Sequence, residues 1–285
     1  MSGTTAAGPG APGIVCAFAV TRTPPDAAAL AAARGHEEGG PLRLVRAGGL
    51  CLVVQDVPAA LFDQEALTER LNRPRDLERC ARAHHRGVEA AAGRGPVVPL
   101  PMATLYRGDP TAARAVTDRR EALEALLDRL RDRTEWAVKV HAAEAPPEPA
   151  AEAGAQAGAG GRAYLSRVSA RRRDRQGAHD RALAEAEAVD AELRRYAVAA
   201  TRHRPQSERL TGHRAPQLLN VAYLVEDARR AAFTGALARI AAARRPAVRI
   251  DASGPWIPYS FARWDEDPRS GPEAPAAPDR EEVRS

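Results

Sequence analysis

EWAVKVHA, residues 135–142, sets Trp136, Val138, Val140 and Ala142 against Glu135, Ala137, Lys139 and His141, the two-residue period of a strand with one covered face. The elements C-terminal to this strand decide the fold. Residues 163–202 contain no proline and repeat apolar side chains at Leu183, Ala186, Val189, Leu193, Tyr196 and Ala200, the spacing of a helical stripe. SERLTG (207–212) and QLLNVAYLV (217–225) read as two further strands. Asp227 opens a second helix with Phe233, Leu237, Ile240 and Ala241 inward, Pro246 stops it, and AVRIDA closes the series as a strand. This βαββαβ succession is the split-βαβ, ferredoxin-like order. The first helix is far longer than such a sheet can cover, about 60 Å against roughly 20 Å for a strand, so its outer part must project, pair with another helix or meet a partner.

Upstream, GIVCAFAVT (13–21) has the apolar, β-branched content of a buried strand, and LRLVRAGGLCLVVQDV (42–57) places two apolar runs around Ala47, Gly48 and Gly49 as a hairpin. Helical spacing over 75–92 puts Leu77, Cys80, His84, Val88 and Ala91 on one face. GPVVPLPMATLY (95–106) reads as a strand bounded by prolines. Asp109 and Pro110 start a helix that carries Val116, Leu123, Leu126, Leu127 and Leu130 inward and ends near 132. The chain is therefore an α+β protein of two domains, residues 12–133 and 134–265, with a mostly antiparallel sheet in the first. Residues 1–11 and 266–285 are tails, and 143–162, rich in Pro and then in Gly and Ala, is a flexible insert ahead of the long helix 163–202.

The net charge of +5 and the pI near 9.5 come from arginine, since Lys139 is the only lysine; without a basic motif they point weakly to nucleic acid. Cys16, Cys51 and Cys80 form no CxxC pair and fall in apolar segments, as buried reduced thiols do. The opening MSGTTAAGPGAPG has neither the basic start nor the apolar run of a signal peptide, and no window offers the roughly 20 apolar residues of a membrane span. A cytoplasmic protein is expected.

Motifs of chemistry are sparse. Gly158, Gly160 and Ala163 spell a dinucleotide-like turn, but no strand precedes them, so no cofactor is expected. His85 and Glu89 stand at i, i+4 beside His84, yet no further ligand of matching spacing converges on them, and His84 reads as a hydrogen-bonded packing residue. No G-x-S-x-G elbow is present, no catalytic or metal-binding residue is assigned, and an enzyme would require a pocket gathering His84, His85, Glu89 or Asp251. Arg171, Arg172 and Arg173 lie in the densest basic run, RVSARRRDRQ, which is either a solvated helix face or a docking site for an acidic protein partner. An RNA-binding or regulatory module would need exposed sheet aromatics, and the strands offer mainly Trp136 and Tyr223.

Taken together, GIVCAFAV, HHRGVEA followed by GPVVPLPMATLY, EWAVKV, AYLSR, LLNVAYLV and IDASGPWIPYSF resemble the gas vesicle accessory proteins of the GvpL/GvpF type. The resemblance runs from about residue 14 to 262 and implies a non-catalytic protein needed to assemble a hollow protein shell. It also implies two α+β domains, the C-terminal one ferredoxin-like with a coiled-coil-like helix, and contacts with the small hydrophobic shell protein and with other accessory proteins. In one strand the chain departs from the pattern: Pro101, Met102 and Ala103 stand where the family commonly has Arg, Phe and Gly.

DASGPWIPYSFARW (251–264) holds Trp256, Tyr259, Phe261 and Trp264, four of the chain's twelve aromatics. Gly254 and Pro255 turn the chain and Pro258 keeps it extended. The expectation is that Trp256, Tyr259 and Phe261 close the C-terminal domain as a plug, with Trp264 the most exposed, and that a partner contact is the competing role.

Overall fold

The computed structural model describes residues 13–143, 161–204, 215–244 and 247–263. The tails, most of the insert, the SERLTG segment, Pro246 and Trp264 lie outside the described residues.

The first sheet is antiparallel, in the order β2–β3–β1–β4, from β1 (Ile14–Thr21), β2 (Leu42–Ala47), β3 (Leu50–Val57) and β4 (Val97–Arg107). Gly48 and Gly49 make the β2–β3 turn that the sequence anticipates. Phe18 is an extra residue in the β1–β3 ladder, since Ala17 pairs with Val54 and Ala19 already with Val53. This bulge sends Val15, Ala17 and Val20 to one face and Cys16, Phe18 and Ala19 to the other.

On that second face lie α1 (Ala27–Ala32), α2 (Ala59–Phe62), α3 (Gln64–Leu71) and α4 (Pro74–Ala91). The first three escape the sequence reading because they are short and weakly periodic. Helix α4 crosses β1 at Gly87, where an added Cβ would fall 2.4 Å from the Phe18 ring. A mid-helix glycine costs about 1 kcal/mol relative to alanine, offset here by that close approach. Leu77, expected on the buried face, is 40% exposed.

On the first face lie α5 (Asp109–Asp118) and α6 (Arg120–Leu130), two helices where one is expected, with Arg119 breaking the run at φ −113°, ψ 18°. Asp109 does not cap: its carboxylate holds Arg43 at 2.8 Å across to β2.

The second sheet is antiparallel in the order β6–β7–β5–β8, from β5 (Arg133–Ala142), β6 (Ala199–Arg202), β7 (Gln217–Glu226) and β8 (Val248–Trp256). Two helices, α7 (Gly161–Leu193) and α8 (Arg230–Ala243), cover one face, over Val138, Val140, Val221, Tyr223 and Val225. The long helix stops at Leu193 and not at 202, because Ala199–Arg202 pairs with β7. Asp190 secures this end: it is buried, accepts from Tyr223 Oη at 2.7 Å and from Arg202 Nη2 at 2.5 Å, and Arg194 Nε reaches it at 3.1 Å.

The opposite face of β7 presents Ala222 and Leu224 to the first sheet. They share one buried cluster with Val15, Leu52, Val54, Leu123 and Leu127, and also with Phe261 and Ala262. The two sheets are thus joined through a common core. Among the described residues no helix is long and apolar enough to cross a membrane.

Candidate functional site

The C-terminal segment beyond β8 runs across the junction of the two sheets. It is seated by Gly254, where a Cβ would stand 2.9 Å from both the Glu135 carbonyl oxygen and the Trp136 ring, at a φ of +149° that favours glycine. The next residues distribute by side. Phe261 is 4% exposed in the shared core, Ile257 and Tyr259 pack against the outer cluster of the first sheet, and Trp256 is 46% exposed. Trp256 therefore does not fill the core, as the sequence suggests it should, because β8 is an edge strand and turns this ring outward. The segment closes the seam between both halves of the chain instead of the C-terminal half alone.

Two hydrogen-bonded groups hold it. On one side Ser260 donates to Glu135 from its backbone N–H at 2.8 Å and from its hydroxyl at 2.7 Å, and His203 Nε2 lies 3.1 Å from the same hydroxyl oxygen. The serine proton is committed to Glu135, so His203 is the donor. That polarity is the reverse of what a histidine base needs to activate a serine. Burial pushes the Glu135 carboxyl up, and the two Ser260 bonds pull it part of the way back.

On the other side Tyr259 Oη lies 3.1 Å from His85 Nδ1, while His85 Nε2 faces Glu89 at 3.3 Å. The carboxylate fixes Nε2 as the donor, so Nδ1 accepts from the phenol. Burial foremost, then the Glu89 and Glu135 charges, push the Tyr259 hydroxyl well above its ordinary range. The His85 ring meets Trp256 edge-on at 6.4 Å, and Trp256 Nε1 donates to Ser253 Oγ at 3.2 Å. The outcome is an outward-facing tryptophan whose ring nitrogen is hydrogen-bonded.

The other candidates are dispersed. His84 is buried, stacks on Phe18 at 5.6 Å and gives Nε2–H to Leu100 O at 3.0 Å; burial lowers it to about 4, so the ring is neutral. Asp251 pairs with Arg249 at 3.0 Å, far along β8 from His85. Among the described residues no group of three or more His, Cys, Asp or Glu could hold a metal ion. Cys16, Cys51 and Cys80 are buried and unpaired, and burial pushes the Cys16 thiol up to about 12, the opposite of a reactive thiolate. Tyr223 is fully buried under α7 and α8, and Trp136 lies beneath Gly254, so neither ring offers an open stacking platform.

Arg171, Arg172 and Arg173 sit on the outer part of α7, all exposed. Among the described side chains of this helix burial starts only at Ala182, and residues 169–181, about 20 Å of helix, are exposed or half-buried. Arg171 and Arg172 flank a groove with Arg175, Gln176 and His179.

Comparison with known proteins now decides the family, as the model for gas vesicle synthesis protein GvpL/GvpF matches residues 15–263. The chain belongs to the GvpL/GvpF family. Gas vesicle protein L of Streptomyces sp. (strain CB03234) is 40% identical over 233 residues, covering 80% of this chain and 85% of that protein. The crystal structure of the gas vesicle protein GvpF from Anabaena sp. PCC7120 is similar at a TM-score of 0.62 and 16% identity, over 88% of this chain and 96% of that one. GvpF from Microcystis aeruginosa gives 0.58 at 16% identity, over 88% and 99%. At the 101–103 departure, Ala103 has φ +68°, a backbone conformation that favours glycine.

Glu135, Ser260 and His203 are the residues that sequence reasoning missed. The available signal was a carboxylate on the face of EWAVKVHA opposite Trp136, where a strand turned toward another sheet needs a partner for its charge.

Proposed function

We propose that this GvpL/GvpF protein is an accessory factor of gas vesicle assembly that works by protein–protein contacts in the cytoplasm and at the vesicle. Its partners are the small hydrophobic shell protein and other accessory proteins, and it acts without catalysis. The observation that carries this reading is the family match along nearly the whole chain. Two surfaces favour contact as the mode of action: the exposed Trp256, held by Ser253 and His85, and the outer part of α7 with Arg171, Arg172 and Arg173.

In this reading the chain divides into domains at 12–133 and 134–265. The second is ferredoxin-like, a reading supported by its antiparallel strand order, and α7 serves as a coiled-coil-like arm. The dispersal of His84, His85 and Asp251 speaks against an enzyme, and the covered aromatics speak against an RNA module.

The test is capture by the purified protein of the products of its own gas vesicle gene cluster. Retention of the shell protein or an accessory protein is expected, reduced by Trp256→Ala or by Arg171→Glu with Arg172→Glu, at unchanged melting temperature. If the wild-type protein retained none of those products, the proposal would be wrong.

A further inference from the structure

The side of α4 adjoining that of His85 and Glu89 lines a cleft of about 230 Å³ that the contact surfaces above do not use. Arg79, Arg82, Ala83 and Arg86 succeed one another at helical spacing along it, Arg70 enters from the end of α3, and His36, Glu37 and Glu38 close the far side. Four guanidinium groups thus meet two carboxylates around one opening.

The arginines differ in what they already hold. Arg70 is pinned over the Phe62 ring at 4.9 Å, gives Nη2–H to Glu38 at 2.8 Å, and has no acceptor for its buried Nη1 among the described residues. Arg86 spends Nε and Nη2 on the carbonyls of Arg34 and Gly35, at 2.7 and 3.3 Å, and so brings a full positive charge to the cleft while bonded to neutral oxygens. Arg82 pairs with Glu78 on an exposed helix turn, a contact worth little in water and readily exchanged, whereas Arg79 holds Asp76, whose side chain is only 15% exposed.

We propose that this cleft binds a single phosphate group, free or as a monoester. A dianion with several acceptor oxygens answers the charge of Arg86 and can draw in the exposed fork of Arg82, with Arg79 adding its charge from beside Asp76. One carboxylate place is already filled by Glu38, which favours phosphate over an acidic side chain. Glu37 and Glu38 also disfavour a polyanion, so the site takes one phosphate and not a nucleic-acid backbone.

Titration calorimetry of the full chain with inorganic phosphate and with glycerol 3-phosphate, at ionic strength matched with chloride, tests this. Saturable one-to-one binding of at least one of the two is expected, and the tighter names the source. Arg86→Lys and Arg70→Lys, which keep charge and stem but lose the fork, should each weaken it by about tenfold or more. Arg114→Lys, on an exposed turn of α5, should leave it unchanged. Heats no larger than those of chloride, equal affinity in both cleft variants, or tighter binding of glutamate than of phosphate would each overturn the assignment.

Discussion

Ser260 donates twice to Glu135, through its backbone and its hydroxyl, across a separation of 125 residues. This contact ties the C-terminal segment to the first strand of the second sheet. Glu135→Ala leaves both donors short of an acceptor beside the core and is expected to cost about 2–3 kcal/mol, whereas Ser260→Ala, which keeps the backbone bond, costs about 1 kcal/mol. Urea unfolding followed by tryptophan fluorescence measures both. A Glu135→Ala protein as stable as the wild type would show the contact to be incidental.

Ala103 holds a left-handed backbone with φ +68° inside the irregular stretch of β4 that separates Pro99 from Thr104. A Cβ in that region costs roughly 1–2 kcal/mol, and glycine returns part of this as entropy of the unfolded chain. Ala103→Gly is therefore expected to stabilise the fold by about 0.5–1 kcal/mol, read as a higher melting temperature. A lower one would mean that the Ala103 methyl packing outweighs the backbone relief.

His36 and His84 are both neutral and buried, each lowered by burial from 6.5 to about 4. A pKa depressed on folding means that protons bind the unfolded chain more readily. The associated stability is complete above pH 6.5 and is lost as the pH falls toward 4, by as much as about 3 kcal/mol for each ring. Glu135, raised by burial, works in the opposite sense: its contribution is present below the ordinary carboxylate pKa and lost as pH rises, so it softens the acid side of the curve. Melting temperatures should fall steadily from about pH 7 to about pH 4. A flat profile would contradict the burial of these imidazoles.

Asp190 binds the end of α7 to the sheet. Burial would raise its carboxyl, but hydrogen bonds from Tyr223, Arg202 and Arg194 hold it below the usual range. Its stabilising effect is hence lost only in strong acid, below the ordinary carboxylate pKa. Asp190→Asn should cost about 1–2 kcal/mol, because the charge-assisted bonds from Tyr223 and the two arginines weaken while Arg202 keeps Glu187. Hydrogen exchange should speed up in α7 and β6 before it does in the first sheet.

Local pattern carried much of this fold. EWAVKVHA alternates because one of its faces meets helices, LLNVAYLV is apolar nearly throughout because helices cover one face and the first sheet meets Ala222 and Leu224 on the other, and the hairpin at Gly48–Gly49 arises from turn chemistry. The end of α7 was hidden, since Tyr196 and Ala200 continue its spacing and only the pairing of Ala199–Arg202 with β7 breaks it. Trp256 and Phe261 could not be told apart for the same reason. Both are large aromatics in one short segment, and their different burial is set by an edge strand and by a sheet distant in the chain. The site was legible as an aromatic cluster but not as a seam, because Glu135 and His85 reach it from distant elements.

Phe261 and Val15 lie in one buried cluster although they come from the two extremes of the described chain. On the ribosome, the first sheet emerges with that cluster unsealed and cannot complete it until the last turn of the segment has left the exit tunnel. Messenger truncations or stalled translation anywhere before that point would release a nascent chain with an open apolar face, a substrate for chaperones and proteases.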